Sequence, residues 1–175
     1  MDRINTDAAT RAAGLTPGTL NVWIQRRLLP GVSVGASGKR RFFNFDDVMH
    51  ICIMSALVRL GIASPIASVA AKKAREENAW SKPNAVLTLA PAEEKGLSGD
   101  YYDIYVLSGE ALKPEDWLCG YYRRPEGYAI VEIFRIAERV RKFLATENEG
   151  ANGQSQPDHS SSDDRANDAQ GEEAA

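Results

Sequence analysis

The chain has 175 residues, 43% hydrophobic and 26% charged, with a mean hydropathy of −0.35. That is apolar material for one domain or two small ones, and no run approaches the roughly 18 apolar residues of a membrane-spanning helix. The formal net charge of −3 hides segregation: residues 1–82 hold 12 Lys/Arg against 6 Asp/Glu, residues 83–145 hold 8 against 10, and residues 146–175 hold 1 against 8.

A basic front and an acidic end fit nucleic-acid binding by the front of the chain. The opening residues, MDRINTDAATRAAG, have no apolar h-region, so no secretory signal is expected and a cytoplasmic location is. Cys52 and Cys119 lie far apart among apolar neighbours and read as two buried reduced thiols.

In chain order, Thr6 is placed to cap a helix over DAATRAA, and Gly14 stands where that helix ends. Thr16 followed by Pro17 is a second start signal, a hydroxyl cap with proline at the first helical position. Leu20, Trp23, Ile24 and Leu28 then recur at helical spacing and define a buried face. VSVGASGKRRFF, with a Gly/Ser centre between β-branched and aromatic ends, predicts a hairpin. Asn44 caps the next helix, with Asp47 in its first turn. Val48, Ile51, Cys52, Ser55, Leu57, Val58 and Leu60 give that helix a broad apolar face, and Gly61 ends it. Ser64-Pro65 begins another, with Ile66, Val69, Ala70 and Lys73 on one stripe.

A composition break at NAWSKPNA, residues 78–85, separates a helical part (1–80) from a strand-rich part (83–145). In the second part, residues 85–89 predict a strand, and Tyr102, Ile104 and Val106 alternate with Asp103 and Tyr105. RPEG at 124–127 fits a type I turn. Residues 128–134, YAIVEIF, suit either a buried strand or the start of a helix. They are read as a strand leading into a helix that carries Ile136, Val140, Phe143 and Leu144 and ends near Ala145. Residues 146–175 contain no Leu, Ile, Val, Phe, Tyr, Trp or Met. They cannot bury enough apolar surface to offset ordering entropy and are expected to be disordered. The fold class expected is α+β.

Catalysis finds little support in the residues. There is no Gly-rich phosphate loop, HExxH, CxxC or nucleophile elbow. His159 lies in the acidic tail. His50 is expected on the exposed side of its helix, without a metal-ligand set around it. Asp100 and Asp103 read as the solvated face of a strand. Neither an enzyme nor a cofactor or metal is expected.

The front is different. A helix, a turn at GLT and a second capped helix form a helix-turn-helix pattern, whose second helix enters the major groove by its N-terminal residues. With Leu20, Trp23, Ile24 and Leu28 inward, Gly18, Thr19, Asn21, Val22, Gln25 and Arg26 face outward. Asn21 and Gln25 can bridge adenine N6/N7, Thr19 and Arg26 can reach base or phosphate, and Val22 can touch a thymine methyl. Gly18 permits close backbone approach, and Thr16 places free N–H groups near a phosphate. Lys39, Arg40 and Arg41, on a hairpin anchored by Phe42 or Phe43, can neutralise phosphates and release counterions.

These stretches, INTDAATRAAGLTPGTLNVWIQRRLLPG and GKRRFFNFDDVMHICIMSALVRLGI, resemble the winged helix-turn-helix domain of MerR-type bacterial transcription regulators. The points of match are the AGLTPGTL turn, Trp23, the RRLLP exit, Arg41 and Phe43 in the wing, Asp47-Val48, and LVRLGI. The likeness covers about residues 3–75. It implies a dimer on double-stranded DNA that binds two half-sites and alters promoter geometry, with RNA polymerase as a further partner. Asn21 and Val22 stand where the family has an arginine and an aromatic, so a different base preference is expected. WSKPNAV interrupts the family's long dimerisation helix, which leaves the helix over 135–145 as the candidate dimer surface. The cysteines do not follow the family's metal-sensing arrangement. Two alternatives stay open: an excisionase-like DNA-bending accessory factor, and a protein-interaction or ligand-sensing module centred on residues 83–145.

Overall fold

The computed structural model describes residues 3–30, 41–91, 102–108 and 129–153. The expectations for Lys39, Arg40, Asp100, Cys119, the turn at 124–127 and His159 lie outside these residues.

The protein is α+β. Two short strands, β1 (Ile4–Asn5) and β2 (Phe42–Phe43), pair antiparallel with Ile4 opposite Phe43 and Asn5 opposite Phe42. Helices α1 (Thr6–Ala13), α2 (Pro17–Gln25), α3 (Phe45–Arg59) and α4 (Ser64–Glu76) make up the front, followed by a 3-10 turn at Ala79–Ser81. Strands β3 (Val86–Pro91), β4 (Tyr102–Leu107) and β5 (Ala129–Glu132) form an antiparallel sheet in the order β4-β3-β5, and α5 (Ile133–Gly153) closes the described chain.

The helix starts follow capping chemistry with one correction. Asn5, not Thr6, caps α1: its backbone is extended (φ −76°, ψ 167°) and its Oδ1 accepts from the Ala8 N–H at 2.8 Å. Thr6 is already helical, and its carbonyl accepts from Thr10 Oγ1. Thr16 caps α2 as expected, with Pro17 at its first position. Asn44 and Asp47 form a reciprocal capping box on α3, at 2.8 and 3.1 Å, which satisfies two otherwise orphaned donors.

Three helices also end alike. Gly14 follows α1 at φ 61° and Gly61 follows α3 at φ 88°. In each case the next residue's N–H reaches back to a carbonyl in the last turn, Leu15 to Thr10 and Ile62 to Leu57. At α2 the same pair of bonds forms, Leu28 N–H to Trp23 and Arg27 N–H to Ile24, but the left-handed position is occupied by Arg27 at φ 57°. Glycine adopts this conformation freely and a β-carbon resists it. The left-handed residue breaks the helical spacing, so Leu29 enters the core while Leu28 is only half-buried.

Helix α3 is the centre of the molecule. It touches α1, α4, α5, β2 and β5, and Val48 through Ser55 are all buried. The expected apolar face is therefore a full circumference, as for a helix packed on every side. His50, expected to be exposed, is inside. Leu60, expected in the apolar face, is exposed.

Helix α4 buries Ala67, Ala70, Ala71 and Ala74 and turns Val69 outward, which corrects the expected Ile66–Val69–Ala70–Lys73 stripe. Small side chains at i, i+3, i+4 and i+7 give α4 a flat face to lay on α3. One buried cluster runs from Ile4 through α3 to Leu87, Val131 and Val140, so the two parts separated by the composition break share a core.

The run at 129–153 is strand then helix, and the helix continues eight residues beyond Ala145 into the stretch expected to be disordered. Glu147 on this extension pairs with Arg11 of α1, and Arg11 also lies over the Phe143 ring. Ile136 and Val140 are buried in the same core, so the candidate dimer helix uses much of its apolar stripe within its own chain.

The ending of α2 generates a prediction. Arg27→Gly is expected to raise the denaturant midpoint, by up to about 1 kcal/mol of stability. A lowered midpoint would show that the Arg27 side chain itself holds the helix exit.

Candidate nucleic-acid interface

The geometry of α2 is set by what holds its two ends. The turn before it is clamped to α3: the carbonyl of Ala13, the last residue of α1, accepts from Ser55 Oγ at 2.8 Å and from Arg59 Nη2 at 2.9 Å. Arg59 Nη2 also donates to Ser55 Oγ. The turn at Gly14–Thr16 thus starts from a fixed point. After α2, Ser68 Oγ of α4 donates to the Leu28 carbonyl at 2.5 Å, which fixes the exit.

Between these anchors α2 has two faces. Leu20, Trp23 and Ile24 are buried. Gly18, Asn21, Val22, Gln25 and Arg26 are exposed, Thr16 is exposed at the cap, and Thr19 is half-buried. Thr19 differs from its neighbours because it is tied into the cap: its N–H donates to Thr16 Oγ1 at 3.2 Å and the two hydroxyls share a bond of 2.9 Å.

Gly18 is not demanded by the fold. A β-carbon there would meet only Thr16 Oγ1, at 3.8 Å, whereas glycine inside a helix costs conformational entropy.

Of the basic triplet, Arg41 lies within the described residues. Its Nη1 donates to Asn21 Oδ1 of α2 at 2.6 Å. The arginine expected on the phosphate arm and the asparagine expected to read bases are therefore bonded to each other, a juxtaposition that spacing along the chain does not reveal. Beside Arg41, Phe43 is buried and anchors β2, while Phe42 is exposed. Residue 3 adds a cation that sequence reasoning missed: the Arg3 guanidinium lies 5.7 Å from the centre of the Phe42 ring.

Two buried titratable groups among the described residues are strongly shifted. Burial pushes the Cys52 thiol up to about 12, against the opposing charges of Arg139 and Arg59, so it stays protonated and unreactive. His50 is lowered to about 4, first by burial and then by the nearby Arg75 charge; the Leu28 backbone and Asp47 pull the other way. Neither ring nitrogen has a partner of good hydrogen-bond geometry, although the Leu28 backbone is close enough to favour the protonated ring. Arg75 itself is paired with Asp47 at 2.8 Å. Among the described residues, no three His, Cys, Asp or Glu side chains converge as a metal set, and no helix is long and apolar enough to cross a membrane.

Comparison with known proteins adds no relative: no protein-family model matches this chain, and no curated protein matches it.

The buried imidazole makes stability depend on pH. His50 ionises near 6.5 in an unfolded chain and at about 4 in the fold, so between those values the unfolded state binds the additional proton. Its contribution to stability is complete above pH 6.5 and is lost as pH falls to 4, a loss on the order of 3 kcal/mol. Urea unfolding from pH 7 to 4 is expected to show this slope, and His50→Leu to flatten it. An equally steep fall in the variant would assign the acid sensitivity to other groups.

Proposed function

We propose that this chain is a sequence-specific DNA-binding transcription regulator of the MerR-like winged helix-turn-helix type. In this reading α1 and α2 are the helix-turn-helix, α2 enters the major groove, and the Arg41 segment is the wing on the phosphate backbone. The observation that carries it is the division of α2. Leu20, Trp23 and Ile24 anchor it, while Gly18, Asn21, Val22, Gln25 and Arg26 form an exposed, mostly polar surface along its other side.

Three features support the reading. The exposed set can form hydrogen bonds to base edges and phosphates. Gly18 has open space around it, which suits a backbone that must approach a partner closely. Arg41 extends from the adjacent strand to the same face through Asn21, adding a cation to it. The partner is double-stranded DNA; a homodimer on two half-sites and contact with RNA polymerase belong to the same proposal, as does a cytoplasmic location.

Selection of bound duplexes from a random pool, followed by titration against salt, tests this. A consensus is expected, with log K falling linearly as log salt rises. Asn21→Ala should change the selected sequence, and Arg41→Ala should weaken binding to all sequences. Gly18→Ala should keep or raise stability, by roughly 0.5–1 kcal/mol, yet weaken binding. Affinity that ignores salt, or no affinity for any duplex, would sink the proposal.

A further inference from the structure

We infer that Arg3 is a phosphate-contacting residue of the same DNA surface, and that Phe42 is the platform that aims it. This rests on the DNA-binding reading of α2 and deepens it by adding a cation from a different element.

The argument begins with the register of the small sheet. Ile4 faces Phe43 and Asn5 faces Phe42, and side chains alternate between the two sides of a strand. Ile4 and Phe43 are both buried. Arg3, two residues from Asn5, therefore shares the outer side with Phe42. There its guanidinium lies over the ring, 5.7 Å from its centre. Arg3 is exposed and forms no ion pair among the described residues.

Phe42 has no evident task in the core. Phe43 already anchors the strand, and Phe42 is 49% exposed. An aromatic ring that size left in water is better explained by what it holds. A guanidinium over a ring face is attracted by the ring quadrupole. It is thereby ordered before a partner arrives, so less side-chain freedom is lost on binding.

The position completes the case. Arg41, next in the chain to Phe42, reaches Asn21 on the outward face of α2. The Arg3–Phe42 contact and the Arg41–Asn21 hydrogen bond are thus joined by a single peptide bond, which brings two guanidinium groups to the junction of the small sheet and α2. A pair of cations at that junction suits a polyanion lying across both elements, and an arginine fork matches phosphate oxygens.

The test uses the full chain, a duplex selected by the wild-type protein and an unrelated duplex, each titrated over a range of salt. Circular dichroism and melting confirm that each variant is folded. Arg3→Ala is expected to weaken binding several-fold on both duplexes alike and to lower the magnitude of the salt slope by about 0.9, the value for one phosphate. Phe42→Ala should weaken binding less with the slope nearly kept, and Phe42→Tyr should restore it. If Arg3→Ala binds as the wild type does, with the same slope, Arg3 is off the DNA and this inference fails while the reading of α2 stands. If Phe42→Ala matches wild type, the platform role is overturned. If the wild-type protein shows no salt-dependent binding to either duplex, the DNA reading fails and this inference with it.

Discussion

The geometry of the outward surface depends on one carbonyl oxygen. Ala13 ends α1 and would leave its carbonyl unsatisfied near the core, where an unpaired acceptor is costly. Ser55 and Arg59 of α3 both donate to it. Because they stand one turn apart on the central helix, they fix the direction in which the chain leaves α1. Gly14 then turns in the left-handed region, and Thr16 starts α2 at a set angle. A polar surface can recognise a partner only if its side chains are held in register, and this clamp supplies the register.

A second set of contacts connects the front of the chain to its later half. Asp47 both closes the capping box of α3 and pairs with Arg75 of α4. Its neighbour Asp46 accepts from Trp80 Nε1 at 3.1 Å. The Trp80 carbonyl accepts from Arg141 of α5, whose guanidinium lies over Phe45 at the start of α3. Lys73 of α4 donates to the Ile104 carbonyl of β4 at 2.6 Å. The start of α3 is thus a junction for α4, the 3-10 turn and α5. His50 sits in this crowded region without a well-formed hydrogen bond, a buried polar group that costs most when it is protonated. Helix α4 connects this junction to α2, since its Ser68 also holds the Leu28 carbonyl.

The proposed DNA surface is built differently from the core beneath it. Its residues come from α2 and from the ends of β1 and β2, and they meet because Ile4 and Phe43 pair in a two-stranded sheet set against α1 and α3. The polar outer layer is continuous only because the apolar inner layer is. Arg41 and Asn21 are 20 residues apart in the chain, and Arg3 and Phe42 are 39 apart; the fold places each pair in contact.

Local chemistry was readable wherever a residue acts on its own neighbours. Thr16 and Asn44 are caps, Gly14 and Gly61 are left-handed stops, and Leu20, Trp23 and Ile24 form the inner face of α2, all because these effects operate within one helical turn. The reading of residues 128–145 as strand then helix belongs to the same class, although Ile133 and Phe134, read as strand, already lie in α5. What could not be read depends on partners distant in sequence. His50 is buried because α3 is packed on every side, and a single helix does not reveal how many neighbours it has. Val69 is outside because the alanines of α4 fit closer to α3, a preference between two plausible faces that only packing decides. The two-residue strand at Ile4 is too short for any periodicity, and α5 outruns Ala145 with Arg11 of a distant helix paired to Glu147. The sequence by itself therefore determined the starts of α2 and α3, the glycine stops of α1 and α3, the inner face of α2 and its outward set. The tertiary structure alone decided which cations and rings stand beside that set, because those contacts exist only after residues from separate elements are brought together.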